Sequence, residues 1–259
     1  MIQTATVNYH VHKPERQAFH LDADGIKGNL ISPELRTVNV PVADARTKRG
    51  SVSFPKDSLA FANVPTSTNI TTEDNSWREI YDQELTTLLQ EKLRVKDVII
   101  FDHTIREDDP DAVRLPARNV HSDYSKDGAR QRLIDILGDE HAHEWSKGHY
   151  AFINVWRPLE NPINSAPLGF VRPSSLDEHD WVLLDLIYPD RRGQIMGLVE
   201  NQNHEWIYQS KMTPDEVAIF NIYDNRGLPS IAHSALDMIE DVNINTIRKS
   251  IESRTLIRY

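Results

Sequence analysis

The chain reads as a mainly β protein with helices flanking a sandwich or barrel. Three observations predict this: short β-prone runs recur along most of the 259 residues, turns rich in Gly, Pro, Asn and Asp separate them, and long helical periodicity occurs in only two places. A chain of this length can bury a full core as one unit. The expectation is one domain over 1–259, with 1–75 laying strands and loops around the core and 76–259 carrying the helices, the core strands and the chemistry.

Residues 4–9 and 37–42 are β-prone pieces among polar turns, and nothing in 1–75 carries recognisable chemistry. Between 76 and 90, Trp77, Ile80, Tyr81, Leu85, Leu88 and Leu89 recur at helical spacing, with Ser76 as N-cap and Glu79 completing a capping box. A β-rich run follows at 95–106. A second helix spans 126–147, with Leu133, Ile134, Ile136 and Leu137 on its apolar side. Strands then follow at 150–157, 181–188, 194–199, 205–209, 216–223 and 250–259.

Composition narrows the function classes. An apolar fraction of 39% with 26% charged residues is that of a globular protein, and no apolar run approaches the roughly 20 residues that span a bilayer. The N-terminus lacks a basic start and an apolar h-region, so a cytoplasmic protein is expected. With no cysteine, disulfides, thiolate metal sites and cysteine nucleophiles are excluded. A formal charge of −10 argues against nucleic acid, leaving a small-molecule substrate and no membrane partner as the expectation. The oligomeric state is open.

His121-Ser122-Asp123 is the most informative stretch, because residues two apart on an extended segment project to one side and can grip one metal ion. His233 is the best candidate for a second imidazole. Two histidines and one carboxylate on one face of an octahedral ion, with the other face open, is the donor set of non-haem iron(II) oxygenases. In a double-stranded β-helix (jelly-roll, cupin-like) core, the ligand pair sits at the end of one core strand and the distal histidine on a late strand, and this order fits. The local alternative is a capped turn in which Asp123 or Ser125 accepts backbone N–H bonds.

Near the C-terminus, alternation puts Arg248, Ser250, Glu252 and Arg254 on one side of a strand. A guanidinium with a hydroxyl suits the distal carboxylate of 2-oxoglutarate, while a solvated edge strand is the plainer reading. His141-Ala142-His143-Glu144 offers a rival zinc site, but positions i and i+2 of a helix point in different directions. No Gly-x-Ser-x-Gly elbow or Walker loop is present.

Six ordered motifs carry a resemblance from about Tyr81 onward: Phe101-Asp102-His103-Thr104-Ile105-Arg106, Val120-His121-Ser122-Asp123-Tyr124-Ser125, Asn154-Val155-Trp156-Arg157-Pro158-Leu159, Asp185-Leu186-Ile187-Tyr188-Pro189-Asp190-Arg191, Met212-Thr213-Pro214-Asp215-Glu216 and His233-Ser234-Ala235. In these the chain resembles the hydroxylase/desaturase family of iron(II)/2-oxoglutarate-dependent oxygenases, which includes the fungal gibberellin desaturase, the aspergillic acid hydroxylase and the cephamycin 7α-hydroxylase component. The resemblance implies iron(II), 2-oxoglutarate and O2 as cofactor and cosubstrates, with His121, Asp123 and His233 as metal ligands. It further implies that Arg248 or Arg254, with Ser250, holds the keto acid. The substrate would be a small intermediate of specialised metabolism that is hydroxylated, desaturated or oxidatively cyclised. The rivals are an iron oxygenase that needs no 2-oxoglutarate and an inactive jelly-roll binding protein.

Substrate-contact candidates are Tyr124, beside the ligand pair, together with Asn154, Trp156, Arg157 and Arg191. Alternation lets either Asn154 and Trp156 or Val155 and Arg157 face the pocket, and does not say which. Arg191 lies in a turn, where an ion pair with Asp185 or Asp190 is the plainer reading. His103 reads as a satisfied core histidine rather than a fourth ligand.

Overall fold

A computed structural model describes residues 2–26, 29–239 and 247–259. Its strands, in chain order, are β1 (Ile2–His10), β2 (Gln17–Leu21), β3 (Leu30–Ile31), β4 (Leu35–Asp44), β5 (Leu59–Asn63), β6 (Asp97–Glu107), β7 (His121–Ser122) and β8 (Tyr150–Pro158). Then come β9 (Leu168–Val171), β10 (Trp181–Ile187), β11 (Arg192–Leu198), β12 (Trp206–Tyr208), β13 (Glu216–Asp224), β14 (Ala232–Ala235), β15 (Asp237–Met238) and β16 (Lys249–Arg258). The helices are α1 (Phe54–Asp57), α2 (Arg78–Leu93) and α3 (Lys126–Lys147).

Two sheets result, one of five strands in the order β5-β13-β8-β16-β6 and one of eleven in the order β15-β1-β4-β12-β9-β14-β7-β11-β10-β2-β3. Their centres hold the jelly-roll pattern: an antiparallel row β6-β16-β8-β13 faces an antiparallel row β7-β14-β9-β12. The chain reaches the site by crossing between these rows, from β6 to β7 to β8, and again from β13 to β14 to β16.

Strand alternation sorts the core. From β8, Phe152 and Trp156 point between the sheets with Phe170, Phe220 and Leu256, while Ala151, Ile153 and Val155 point outward with Val217, Ile219 and Ile251. α2 covers that outward face through Trp77, Tyr81, Leu85, Leu88 and Leu89. Ile80, expected on the buried side, is 58% exposed, because it lies a third of a turn from Tyr81 toward the polar side. The expected Ser76 cap is also corrected. Trp77 holds the N-cap position, and the Asp74 carboxylate instead accepts from both the N–H and the hydroxyl of Ser76, at 2.9 and 2.7 Å.

β1 and β4 belong to the eleven-stranded sheet, and Ala5, Val7, Tyr9 and Val42 pack with Val171, Trp206 and Ala232. That sheet curls until β1 meets its far side again, through the bridges Asn8 to Asn119 and His10 to Val199. Among the described residues no helix is long and apolar enough to cross a membrane.

Candidate metal and anion site

β7 is only two residues long, yet its position fixes the site. It lies between β14 and β11, with His121 directly opposite both His233 and Gly197. Cross-strand pairing therefore brings the two imidazoles together, with ring centroids 4.5 Å apart. The chain then leaves the strand, and Asp123 turns its Oδ1 to within 3.5 Å of His121 Nε2 and 3.9 Å of His233 Nε2. Two donors each about 2.1 Å from one ion sit at most about 4.2 Å apart, so both separations fit a shared cation. Among the described residues this is the one group of three or more His, Cys, Asp or Glu able to hold a metal.

The tautomers favour binding. His121 Nδ1 lies 2.8 Å from the Asn119 carbonyl, which can only accept, so Nδ1 carries the proton and the Nε2 lone pair faces Asp123. His233 Nδ1 is similarly placed toward the Ile231 carbonyl at 3.4 Å. Burial, and after it the neighbouring His121, pulls the His233 imidazole down to about 3, so it is neutral and able to bind a metal at neutral pH. Burial alone would raise the Asp123 carboxyl, but Arg254 and the two histidines hold it well below the usual carboxylate range. The capped-turn alternative is also present, one step along: Ser125 Oγ accepts from Gly128 N at 3.0 Å and starts α3, so the cap does not draw on Asp123.

A narrow cavity of about 20 Å³, room for little more than a water, opens beside the imidazoles. Trp156, Leu168 and Ala235 form apolar walls, and Arg106, Arg248 and Glu252 supply charge. Arg248 is 4% exposed. Its Nη2 donates to Ser250 Oγ at 3.0 Å, but its Nε and Nη1 have no partner among the described residues. Its guanidinium lies 5.3 Å from the Trp156 ring centroid. Burial and the nearby Arg106 lower it to about 9, still a cation at neutral pH. A buried cation with two unpaired nitrogens is costly unless an anion completes it.

The remaining candidates separate. Asn154 and Trp156 form the inward pair. Asn154 donates to Asp123 Oδ2 at 2.9 Å, and Arg254 Nε donates to the same oxygen at 3.1 Å, so neither occupies the anion cavity. Arg157 faces the other way, donating to Tyr81 Oη at 3.2 Å and to the carbonyls of Val64 and Pro214 at 2.7 and 2.6 Å. As a substrate contact it is corrected to a structural arginine. Arg157→Met should destabilise the protein by about 2–4 kcal/mol in urea denaturation, because two carbonyls lose their donors, while iron(II) affinity stays unchanged. Arg191 is exposed over the Tyr188 ring at 4.0 Å, and Asp185 pairs with Arg16 rather than with it. Tyr124 stays beside the site, its ring 5.1 Å from Phe152 and its phenol pushed up to about 12 by burial and Asp123. His103 is a core histidine, bonded to Ser253 Oγ and Asp82 Oδ1 at 2.8 Å each. His141 and His143 are exposed on α3.

Arg106 and His10 were missed as neighbours of the site. Alternation on β6 would have set Arg106 on the same face as Asp102 and Thr104, but its proximity to Arg248 needs the sheet register. His10 is 1% exposed and fills the space over Gly197, where an added Cβ would come within 2.5 Å of its ring. Burial and His121 lower it to about 4. The unfolded chain would hold that proton near the ordinary 6.5, so between pH 6.5 and 4 the unfolded state binds more protons and stability is lost as pH falls. The metal-free protein should show a falling urea midpoint across this window. His10→Gln should flatten part of the slope, with His103 and His204, also lowered by burial, retaining the rest.

A family described as oxidoreductase/YMDC permease-like domain matches residues 7–258. The chain belongs to this oxidoreductase family. Among curated relatives, the hydroxylase/desaturase efuI of Hormonema carpetanum is 29% identical, over 85% of this chain and 83% of that protein. The alpha-ketoglutarate-dependent dioxygenase tstK of Talaromyces stipitatus is 23% identical, over 99% and 98%. Among solved structures, the iron and alpha-ketoglutarate-dependent endoperoxidase NvfI superposes with a TM-score of 0.90 at 21% identity, covering 100% of this chain and 98% of that one. This oxidoreductase thus has the jelly-roll fold expected from its sequence.

Proposed function

We propose that this oxidoreductase is an iron(II)- and 2-oxoglutarate-dependent oxygenase acting on a small molecule of specialised metabolism, as the names of its relatives suggest. The observation that carries the reading is Arg248: a buried guanidinium whose Nε and Nη1 have no partner among the described residues, lining the same cavity as His121 and His233. His121, Asp123 and His233 would hold the iron, and Arg248 with Ser250 the distal carboxylate of the keto acid. When bound, iron(II) with 2-oxoglutarate and O2 supplies an oxidant able to remove hydrogen from an unactivated carbon. The chain's own contribution is positional. Arg248 and Ser250 fix one end of the keto acid, Trp156 and Leu168 keep water from its middle, and the imidazoles present their Nε2 atoms to the metal. Hydroxylation, desaturation or ring closure would be selected by how a substrate is held, for which Tyr124 is the remaining candidate. A cytoplasmic enzyme with no nucleic-acid partner, working as one domain, agrees with the cysteine-free acidic composition.

The test is an anaerobic titration with iron(II) and then 2-oxoglutarate, followed in the visible spectrum. Chelation of a keto acid to iron(II) gives a weak charge-transfer band. Its appearance, and its loss in His121→Ala, is the expected result. Iron binding without the band would point to an oxygenase independent of 2-oxoglutarate, and no iron binding to a jelly-roll binding protein.

A further inference from the structure

We propose that Arg254 and Asn154 are positioning residues that restrict Asp123 to a single oxygen toward the metal; this rests on the iron reading above. A carboxylate has two oxygens and about four acceptor positions. Here the division is complete: Oδ2 takes the N–H bonds of Asn154 and Arg254, while Oδ1 faces both imidazoles. For Oδ2 to turn to the ion, two hydrogen bonds would have to break, one of them from a cation.

Arg254 cannot easily follow such a movement. Its Nη1 donates to Asp102 Oδ2 at 2.6 Å and Thr104 Oγ1 at 3.0 Å, and its Nη2 lies 2.5 Å from Glu252 Oε1. The sheet register builds this hold, since Asp102, Arg254 and Asn154 stand in one row across β6, β16 and β8. A register shift in the β6 and β16 pairing falls immediately after Arg254, and such irregularities re-aim side chains beside active sites. His121, Asp123 and His233 would then offer a bound ion three donors, two nitrogens and one oxygen. A second Asp123 oxygen on the ion would compete with the keto acid and O2 that the iron reading calls for.

The experiment measures anaerobic iron(II) affinity by competition with a chromophoric chelator, and the visible spectrum of the cobalt(II)-loaded protein, whose intensity reports coordination number. Arg254→Met should weaken iron(II) binding by about 10- to 100-fold and change the cobalt spectrum. Asp102→Asn, which reaches Asp123 only through Arg254, should move both in the same direction by less, and Arg254→Lys should fall between wild type and Arg254→Met. If Arg254→Met is unfolded, Asn154→Ala carries the test, with several-fold weaker iron binding expected. Wild-type affinity and spectrum in the folded variants would overturn the proposal and leave the oxygenase reading standing. So would a variant that loses only 2-oxoglutarate affinity, which would return Arg254 to the cosubstrate. Failure of the wild-type protein to bind iron(II) would remove both.

Discussion

Arg248→Met should raise the 2-oxoglutarate concentration needed for half-saturation by about 100-fold or more, while iron(II) affinity stays at the wild-type value. Each hydrogen bond from a buried charged donor to a carboxylate contributes about 1.5–3 kcal/mol, and two such donors stand open on Arg248. Methionine keeps much of the packing against Trp156 and removes only the charge and its N–H groups. The free protein should respond in the opposite sense. In the metal-free protein Arg248 is a buried cation with no carboxylate partner among the described residues, so its removal should leave the thermal midpoint unchanged or higher. A higher keto-acid requirement together with undiminished stability marks a residue kept for its ligand. The same substitution lowering stability with 2-oxoglutarate affinity intact would make Arg248 a structural arginine like Arg157.

The contrast between these arginines shows what the sequence could convey. Alternation placed Arg248, Ser250, Glu252 and Arg254 on one side of a strand, and the structure holds Ser250, Glu252 and Arg254 in β16 with Arg248 one residue before it. It could not divide the roles, because those depend on the flanking strands. Arg254 stands opposite Asp102 and Asn154 and is drawn into ion pairs, whereas Arg248 lies just before β16 begins and escapes them. On β8, alternation required Asn154 and Arg157 to face opposite ways but left the direction open. The direction follows from α2, whose Tyr81 supplies an acceptor to Arg157 on the outward side. The metal ligands were legible for a simpler reason. His121 and Asp123 are local in sequence, and His233 needed only one long-range pairing, with β7. His10 had no such local signal, since only the curling of the whole eleven-stranded sheet brings β1 to Gly197.

His233→Ala should abolish succinate formation and weaken iron(II) binding by more than the roughly 10- to 100-fold that loss of an outer-sphere partner costs. The ring is 3% exposed and packs 5.0 Å from Phe220, so its removal also leaves a cavity, and lost activity alone would not separate a ligand from a core residue. His103→Ala supplies the control. That histidine is also protected, with a side chain 4% exposed and both nitrogens bonded, but it lies on the α2 side of the five-stranded sheet, away from Asp123. Both variants should lose stability by about 2–4 kcal/mol in urea. Only His233→Ala should lose the metal, because only its Nε2 points at an oxygen shared with a second imidazole. Equal iron affinity in the two variants, or succinate release near the wild-type rate in His233→Ala, would remove His233 from the ligand set. Loss in His233→Ala alone would tie the jelly-roll pairing of β7 with β14 directly to the chemistry, since that one register, His121 opposite His233, is what makes the centre.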